Sequence, residues 1–320
     1  MLARIKAAKR AQVEMPFNWI FTIIIGAVII FFAIFAAYRY INLRQYEQDT
    51  QVAAQLAILL NPLETGLAEA ASSKIALPAY TRIELKCFNE GIGRQELRIE
   101  TKSNIGEKWQ EFSAKQDINN KYIFFRDTNT EGKTLYVFSK PFEMPFQIAD
   151  LLYISLSDYC FVSPPSYIES ELKELNMSNI HIASSRSKCK GKSVCFSSPG
   201  CDVGVYGLCY GCSNQYDYGN VEADGERLEY TGDALMYAAI FSPEKIYDCN
   251  IKRLSARIKI LSRLLAEKAR LLSLRGCETG SLRDKLLELV AIADKADLTA
   301  IKQKATEIEA INSALLCRVF

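Results

Sequence analysis

The sequence predicts an α+β protein on a membrane anchor. It comprises an N-terminal transmembrane helix and helical stalk, a disulfide-rich mixed α/β ectodomain, and a C-terminal antiparallel helical bundle. Three observations predict this. An uncharged apolar run, Ile20–Ala37, lies near the N-terminus. All ten cysteines come after it. Hydrophobic spacing then changes, from short strand-like runs before residue 243 to steps of three and four after it.

The apolar run reads IFTIIIGAVIIFFAIFAA, 18 residues with Thr22 as the one polar side chain. A helix rising 1.5 Å per residue needs about 20 such residues to cross the hydrocarbon. Trp19 stands at one end and Tyr38 and Tyr40 at the other, where amphipathic rings favour the interface. A core helix seldom lacks a polar face. Arg4, Lys6, Lys9 and Arg10 precede the run before any acid, and Arg39 and Arg44 precede Glu47 and Asp49 after it. The positive-inside rule therefore expects an internal N-terminus and an exported bulk. The run is longer than the apolar region of an ordinary cleaved signal, so a retained anchor is expected. Small residues at Ala33, Ala36 and Ala37 keep cleavage as the alternative. The segments are a cytoplasmic basic leader over 1–16, a transmembrane helix over 17–40, a helical stalk over 41–77, the α/β ectodomain over 78–243 and the helical domain over 244–320.

The stretch AAKRAQVEMPFNWIFTIIIGAVII resembles the N-terminus of archaeal type IV pilin-like precursors. In that family a short basic leader is removed by a dedicated peptidase. The resemblance implies a cut between Ala11 and Gln12. The match covers about a tenth of the chain, and Glu14 and Pro16 depart from the family's pattern. The chain as a whole resembles archaeal single-pass surface proteins.

With this topology Cys87, Cys160, Cys189, Cys195, Cys201, Cys209, Cys212, Cys249, Cys277 and Cys317 all lie outside, where disulfides persist. Ten is even, so five bridges leave no thiol over. Five of the ten fall within Cys189–Cys212, so at least one must reach beyond that stretch, to Cys160 or Cys249. Zinc is the first alternative, but the stretch holds one C-x2-C knuckle where a structural site shows two. Redox chemistry is the second, since Cys209-Tyr-Gly-Cys212 has the C-x-x-C spacing. Its Gly-rich surroundings lack the helix that would lower a thiol pKa. Haem attachment needs a His where Ser213 stands.

The elements run in order along the chain. Ile41, Val52, Leu56, Leu59, Leu60, Leu63 and Leu67 continue the helix outward as a stalk, with Pro62 a kink and Pro78 the end. TRIELKCF, QELRIETK, KYIFFRD and TLYVFSK read as strands, the last two joined by a hairpin turn over 127–132. LLYISLSDYCFV, residues 151–162, reads as one long buried strand. A helix over 166–176 and a strand over 179–183 complete a βαβ unit. No glycine-rich phosphate loop opens that helix, so nucleotide binding is not supported. Glu222 to Glu226 centre on a D-G hairpin turn. LMYAAIF, residues 235–241, reads as a buried strand. Three helices complete the chain, on Ile251 to Leu272, Leu282 to Leu289 and Leu298 to Leu315, with Gly276 ending the first. Short connections make neighbours antiparallel. That brings Cys277 to Cys317 and leaves Cys249 to pair with the α/β part.

Function is thinner. A net charge of +2 gives no argument for nucleic acid. One histidine, His181, removes mechanisms needing a His dyad or a multi-His metal site. It lies in a predicted strand and reads as structural. The acids Glu222, Asp224, Glu226 and Glu229 lack EF-hand spacing and read as a solvated hairpin face. Asn176-Met177-Ser178 is a candidate glycosylation sequon. No cofactor is expected. The expected partners are the lipid bilayer and a surface-protein or pilus-like assembly. The expected role is structural or binding at the cell surface, with no catalytic motif. The alternatives are an exported enzyme or thiol–disulfide oxidoreductase using Cys209 and Cys212, and a pilin-like subunit processed after Ala11.

Overall fold

A computed structural model describes residues 17–60, 72–102, 109 and 114–320. The chain divides into two units, Met1–Gln48 and Asp49–Phe320. Helix α1, Phe17–Leu60, is 44 residues long. Its segment Trp19–Tyr40 spans 22 residues, none of them buried, and its most apolar 18-residue window has a mean hydropathy of 2.9. The expected stalk is shorter at its far end. Residues 61–71 lie outside the described part, and strand β1 already runs over Ser72–Phe88. Pro78 therefore ends no helix. It falls in the β1 irregularity between Ala76 and Thr81, where no ladder N–H is demanded of it.

The first sheet has six strands in the order β3-β2-β1-β5-β6-β4. These are β2 (Arg94–Thr101), β3 (Ala114–Asn119), β4 (Tyr122–Phe124), β5 (Gly132–Glu143) and β6 (Gln147–Ser155). The hairpin expected over 127–132 is absent as a pairing. β4 pairs in parallel with β6, and β5 pairs antiparallel with β1 and β6. Both faces are buried around β4 and β6. Tyr122, Phe124, Leu151 and Tyr153 join one apolar cluster, while Ile123, Phe125, Leu152 and Ile154 join another. A strand covered on both sides loses its alternation in sequence. The open side of β4 is met by side-chain amides: Gln95 Nε2 and Asn250 Nδ2 donate to Ile123 O at 2.8 and 2.9 Å.

The second sheet has the order β12-β11-β10-β9-β7-β8. Its strands are β7 (Tyr159–Val162), β8 (Ile180–Ala183), β9 (Lys192–Phe196), β10 (Val203–Gly207), β11 (Tyr218–Ala223) and β12 (Glu226–Thr231). Helix α2, Ser166–Leu175, carries the crossover between the parallel β7 and β8. The segment 151–162, expected as one strand, is thus two strands in two sheets. The break sits at Leu156–Asp158, and Asp127 holds it. Its buried carboxylate accepts from Leu156 N, Ser157 N and Ser155 Oγ at 3.0 Å, and from Lys192 Nζ at 2.5 Å.

Residues 235–241, expected as a strand, belong to helix α3, Gly232–Ile240, and its C-cap Phe241. The helix touches β5 and β6 of the first sheet and β11 and β12 of the second. Ala234 to Ile240 are all buried. A helix covered on every side shows no polar stripe, so a short run cannot be told from a buried strand by periodicity. Arg126 ends it. Nη2 and Nε donate to Ala239 O and Ile240 O at 2.9 and 3.0 Å, and Nη1 to Asp224 Oδ2 at 2.7 Å. Helices α4 (Glu244–Leu274), α5 (Leu282–Ala293) and α6 (Leu298–Ala314) complete the chain. α4 packs on α5, and α5 on α6. Gly276, at φ +88°, ends α4 as a left-handed cap.

Candidate functional site

The described residues offer three candidates: the cysteines, a half-buried polar cluster and a pair of acidic clefts. All ten cysteines are paired. Cys160–Cys189 ties β7 to the turn before β9, and Cys195–Cys201 links β9 to the approach of β10. Cys189 is the member of the crowded stretch that reaches outside it. The Cα atoms of these pairs lie 5.6 and 5.7 Å apart, inside the range a disulfide spans. Gly191 comes two residues later at φ +88°, and a Cβ there would meet Asp158 O at 2.3 Å. Only glycine fits where this turn crosses the end of the β6–β7 break.

Cys209–Cys212 closes a surface loop after β10. The chain then makes a short 3-10 turn, Gln215–Asp217, and enters β11. The elements flanking the loop are strands and this short turn, so neither cysteine opens an α-helix, the placement that depresses a redox-active thiol pKa. Tyr210, in the middle of the loop, is 90% exposed. Cys87–Cys249 joins β1 to α4, and Cys277–Cys317 joins the turn after α4 to the segment after α6. Both have Cα atoms 6.0 Å apart. Among the described residues, no group of three or more His, Cys, Asp or Glu is placed to hold a metal ion.

The polar cluster lies where β5, α2 and the start of α3 meet. Lys140 Nζ is 2.5 Å from Glu171 Oε1 and 3.7 Å from Asp233 Oδ2. Tyr237 OH donates to Glu171 Oε2 at 3.2 Å, and Tyr167 OH to Asp233 Oδ1 at 3.4 Å. Burial pushes the Asp233 carboxyl above the usual aspartate range, against the pull of Lys140. Every carboxylate oxygen here has a partner inside the cluster. No group is left aimed at a substrate, so the arrangement locks α2 and α3 to β5.

Two clefts lie elsewhere, on the β11–β12 hairpin. One cleft of about 430 Å3 is lined by Glu229, Glu244, Asp248, Asp297, Tyr247 and Arg227 among others. A second of about 370 Å3 is lined by Asp202, Glu222, Asp224, Glu226 and Arg227. Arg227 belongs to both, so the clefts adjoin. Both fall within the ordinary size range of ligand sites. The hairpin turn, which lines the second cleft, is built by Asp224 and Gly225, at φ +55° and +81°. The hairpin acids have defined work: Asp224 pairs with Arg126, and Glu226 Oε2 accepts from Glu244 N at 2.8 Å, at the start of α4. Asp202 accepts from Ser193 N and Oγ at 2.8 and 2.7 Å. Those two hydrogen bonds hold its carboxyl below the usual range.

His181 is exposed on β8, the edge strand of the second sheet, away from these groups. Asn176 is exposed at the C-cap of α2 in a left-handed conformation. Ala11 and Gln12 lie outside the described residues. Sequence spacing singled out the hairpin acids but missed Asp248 and Asp297, which only the packing of α4 and α6 brings beside them.

No protein-family model matches the chain, and no curated protein or solved structure matches it. Fold and site define the class alone. It is an α+β protein with one N-terminal helix long and apolar enough to cross a membrane. Its five disulfides are the mark of an oxidising compartment.

Proposed function

We propose that this chain is a single-pass, membrane-anchored extracytoplasmic protein with a structural or binding role at the cell surface. The observation that supports it most is the pairing of all ten cysteines, none of them before residue 87, in a chain whose apolar helix precedes them all. Binding is assigned to the first of the adjoining acidic clefts, whose Glu229, Glu244 and Asp248 make no ion pair among the described residues and suit a cationic group on a partner. A helical stalk and a three-helix antiparallel bundle complete the arrangement, with the bundle closed by Cys277–Cys317. The basic leader is removed after Ala11, as in pilin-like subunits, which leaves the anchor helix in place. Protease protection on intact cells tests the orientation. External protease is expected to remove everything C-terminal to Tyr40, and a fully protected chain refutes export. N-terminal sequencing of the mature chain is expected to start at Gln12, and a start at Met1 removes the pilin-like part alone.

A further inference from the structure

Helix α4 carries an apolar stripe that nothing in the described structure covers. Ile260, Leu264, Leu271 and Leu274 succeed one another at helical spacing, and Leu264 and Leu274 are 64% and 73% exposed. At 1.5 Å per residue the stripe is about 21 Å long. Leu316, which is fully exposed, extends it, because Cys277–Cys317 staples the segment after α6 to the end of α4. Scattered exposed leucines are ordinary, but an aligned row of them marks a contact surface.

The charge around the row selects its occupant. Arg263, Arg275 and Arg318 make no ion pair among the described residues, Lys268 donates to Val319 O at 2.6 Å, and of the acids nearby Glu267 is taken by Arg270, which leaves Glu278 alone against three arginines. A second copy of the chain laid along this face would bring two such sets of unpaired cations together, at a repulsive cost. An anionic surface would neutralise them instead. Leucines flanked by arginine and lysine are the composition of elements that lie in a bilayer interface. We propose that the C-terminal half of α4, with Leu316, docks on the anionic headgroup surface of the membrane in which this chain is anchored. The docking rests on the membrane anchor proposed for this chain. Tethering raises the local concentration of that surface, so a contact too weak to bind from solution becomes populated.

The test uses the full chain with Leu274 replaced by the photoreactive p-benzoylphenylalanine, reconstituted into vesicles of phosphatidylcholine with or without phosphatidylglycerol. Flotation first reports whether the chain is anchored. Illumination then reports what Leu274 touches. Lipid adducts are expected to rise about fivefold or more with phosphatidylglycerol, since each basic residue adds to attraction by an anionic surface. They are expected to fall back at high salt and in the R263E/R275E/R318E variant, with the five disulfides intact as the check on folding. Adducts between two chains, equal lipid yields in the two vesicles, or a floated chain without lipid adducts would overturn the docking surface and leave the anchor standing. A chain that fails to float overturns the anchor and the docking with it.

Discussion

At the scale of single residues, the least expected feature is Arg253. It is fully buried, and among the described residues its guanidinium meets no carboxylate. Nη1 donates to Asn250 Oδ1 at 2.8 Å, while Nε and Nη2 have no partner. The ring of Tyr122 lies 4.7 Å from its Cζ. Burial holds its pKa below the ordinary arginine value. Desolvating a cation without a counter-charge costs more than a ring face returns. Arg253→Met is therefore expected to leave stability unchanged or raise it by about 1–2 kcal/mol in denaturant unfolding. A loss of several kcal/mol would show an unseen partner. Asp202 makes the opposite case. Hydrogen bonds from Ser193 lower its pKa, so its contribution is complete above the ordinary aspartate range near about 3.9. That contribution is lost as pH falls through the lowered folded value. Carboxyl NMR titration is expected to place Asp202 below ordinary aspartates and to move it up in Ser193→Ala. An unchanged midpoint in that variant would contradict the assignment.

At the scale of elements, legibility depended on whether one face stayed wet. α2 and the β11–β12 hairpin could be read because each keeps a polar side. α3 and the β6–β7 break could not. α3 has no polar face, and the break is held by Asp127, which lies 28 residues from Ser155 and is invisible to local pattern. The clefts divided the same way: Glu222 to Glu229 stand together in sequence, while Asp248 and Asp297 arrive through helix packing. If α3 is a helix wedged between two sheets, Ala239 has no room to grow. Ala239→Leu is expected to cost about 1–3 kcal/mol in thermal or chemical unfolding, the usual penalty of overpacking. A neutral result would mean that this segment has a free face. The disulfides should rank by the loop they close. The chain-entropy relation gives about 5 kcal/mol for Cys87–Cys249, with a separation of 162, and about 1–2 kcal/mol for Cys209–Cys212, with a separation of 3. Paired Cys→Ser variants, compared by denaturant midpoint, should reproduce that order. The reverse order would put the Cys209–Cys212 loop at the heart of the fold.

At the scale of the whole molecule, the α/β core and the three terminal helices share one apolar cluster that runs from Tyr122 through α3 to Ile308 and Val319. Two disulfides act on the same body, one from β1 to α4 and one from the end of α4 to the end of the chain. Five disulfides suit an oxidising compartment, and a helix ahead of the first cysteine that is long and apolar enough to cross a membrane offers a route there. The orientation, the binding cleft and the lipid-facing stripe proposed above all depend on that placement. The direct measurement is alkylation of the chain as isolated from its own membranes without reductant, with mass mapping of the cross-linked peptides. No alkylated cysteine and five linked pairs are expected, with Cys87 joined to Cys249 and Cys277 to Cys317. Free thiols at Cys87 and Cys249, or at Cys277 and Cys317, would contradict that pairing.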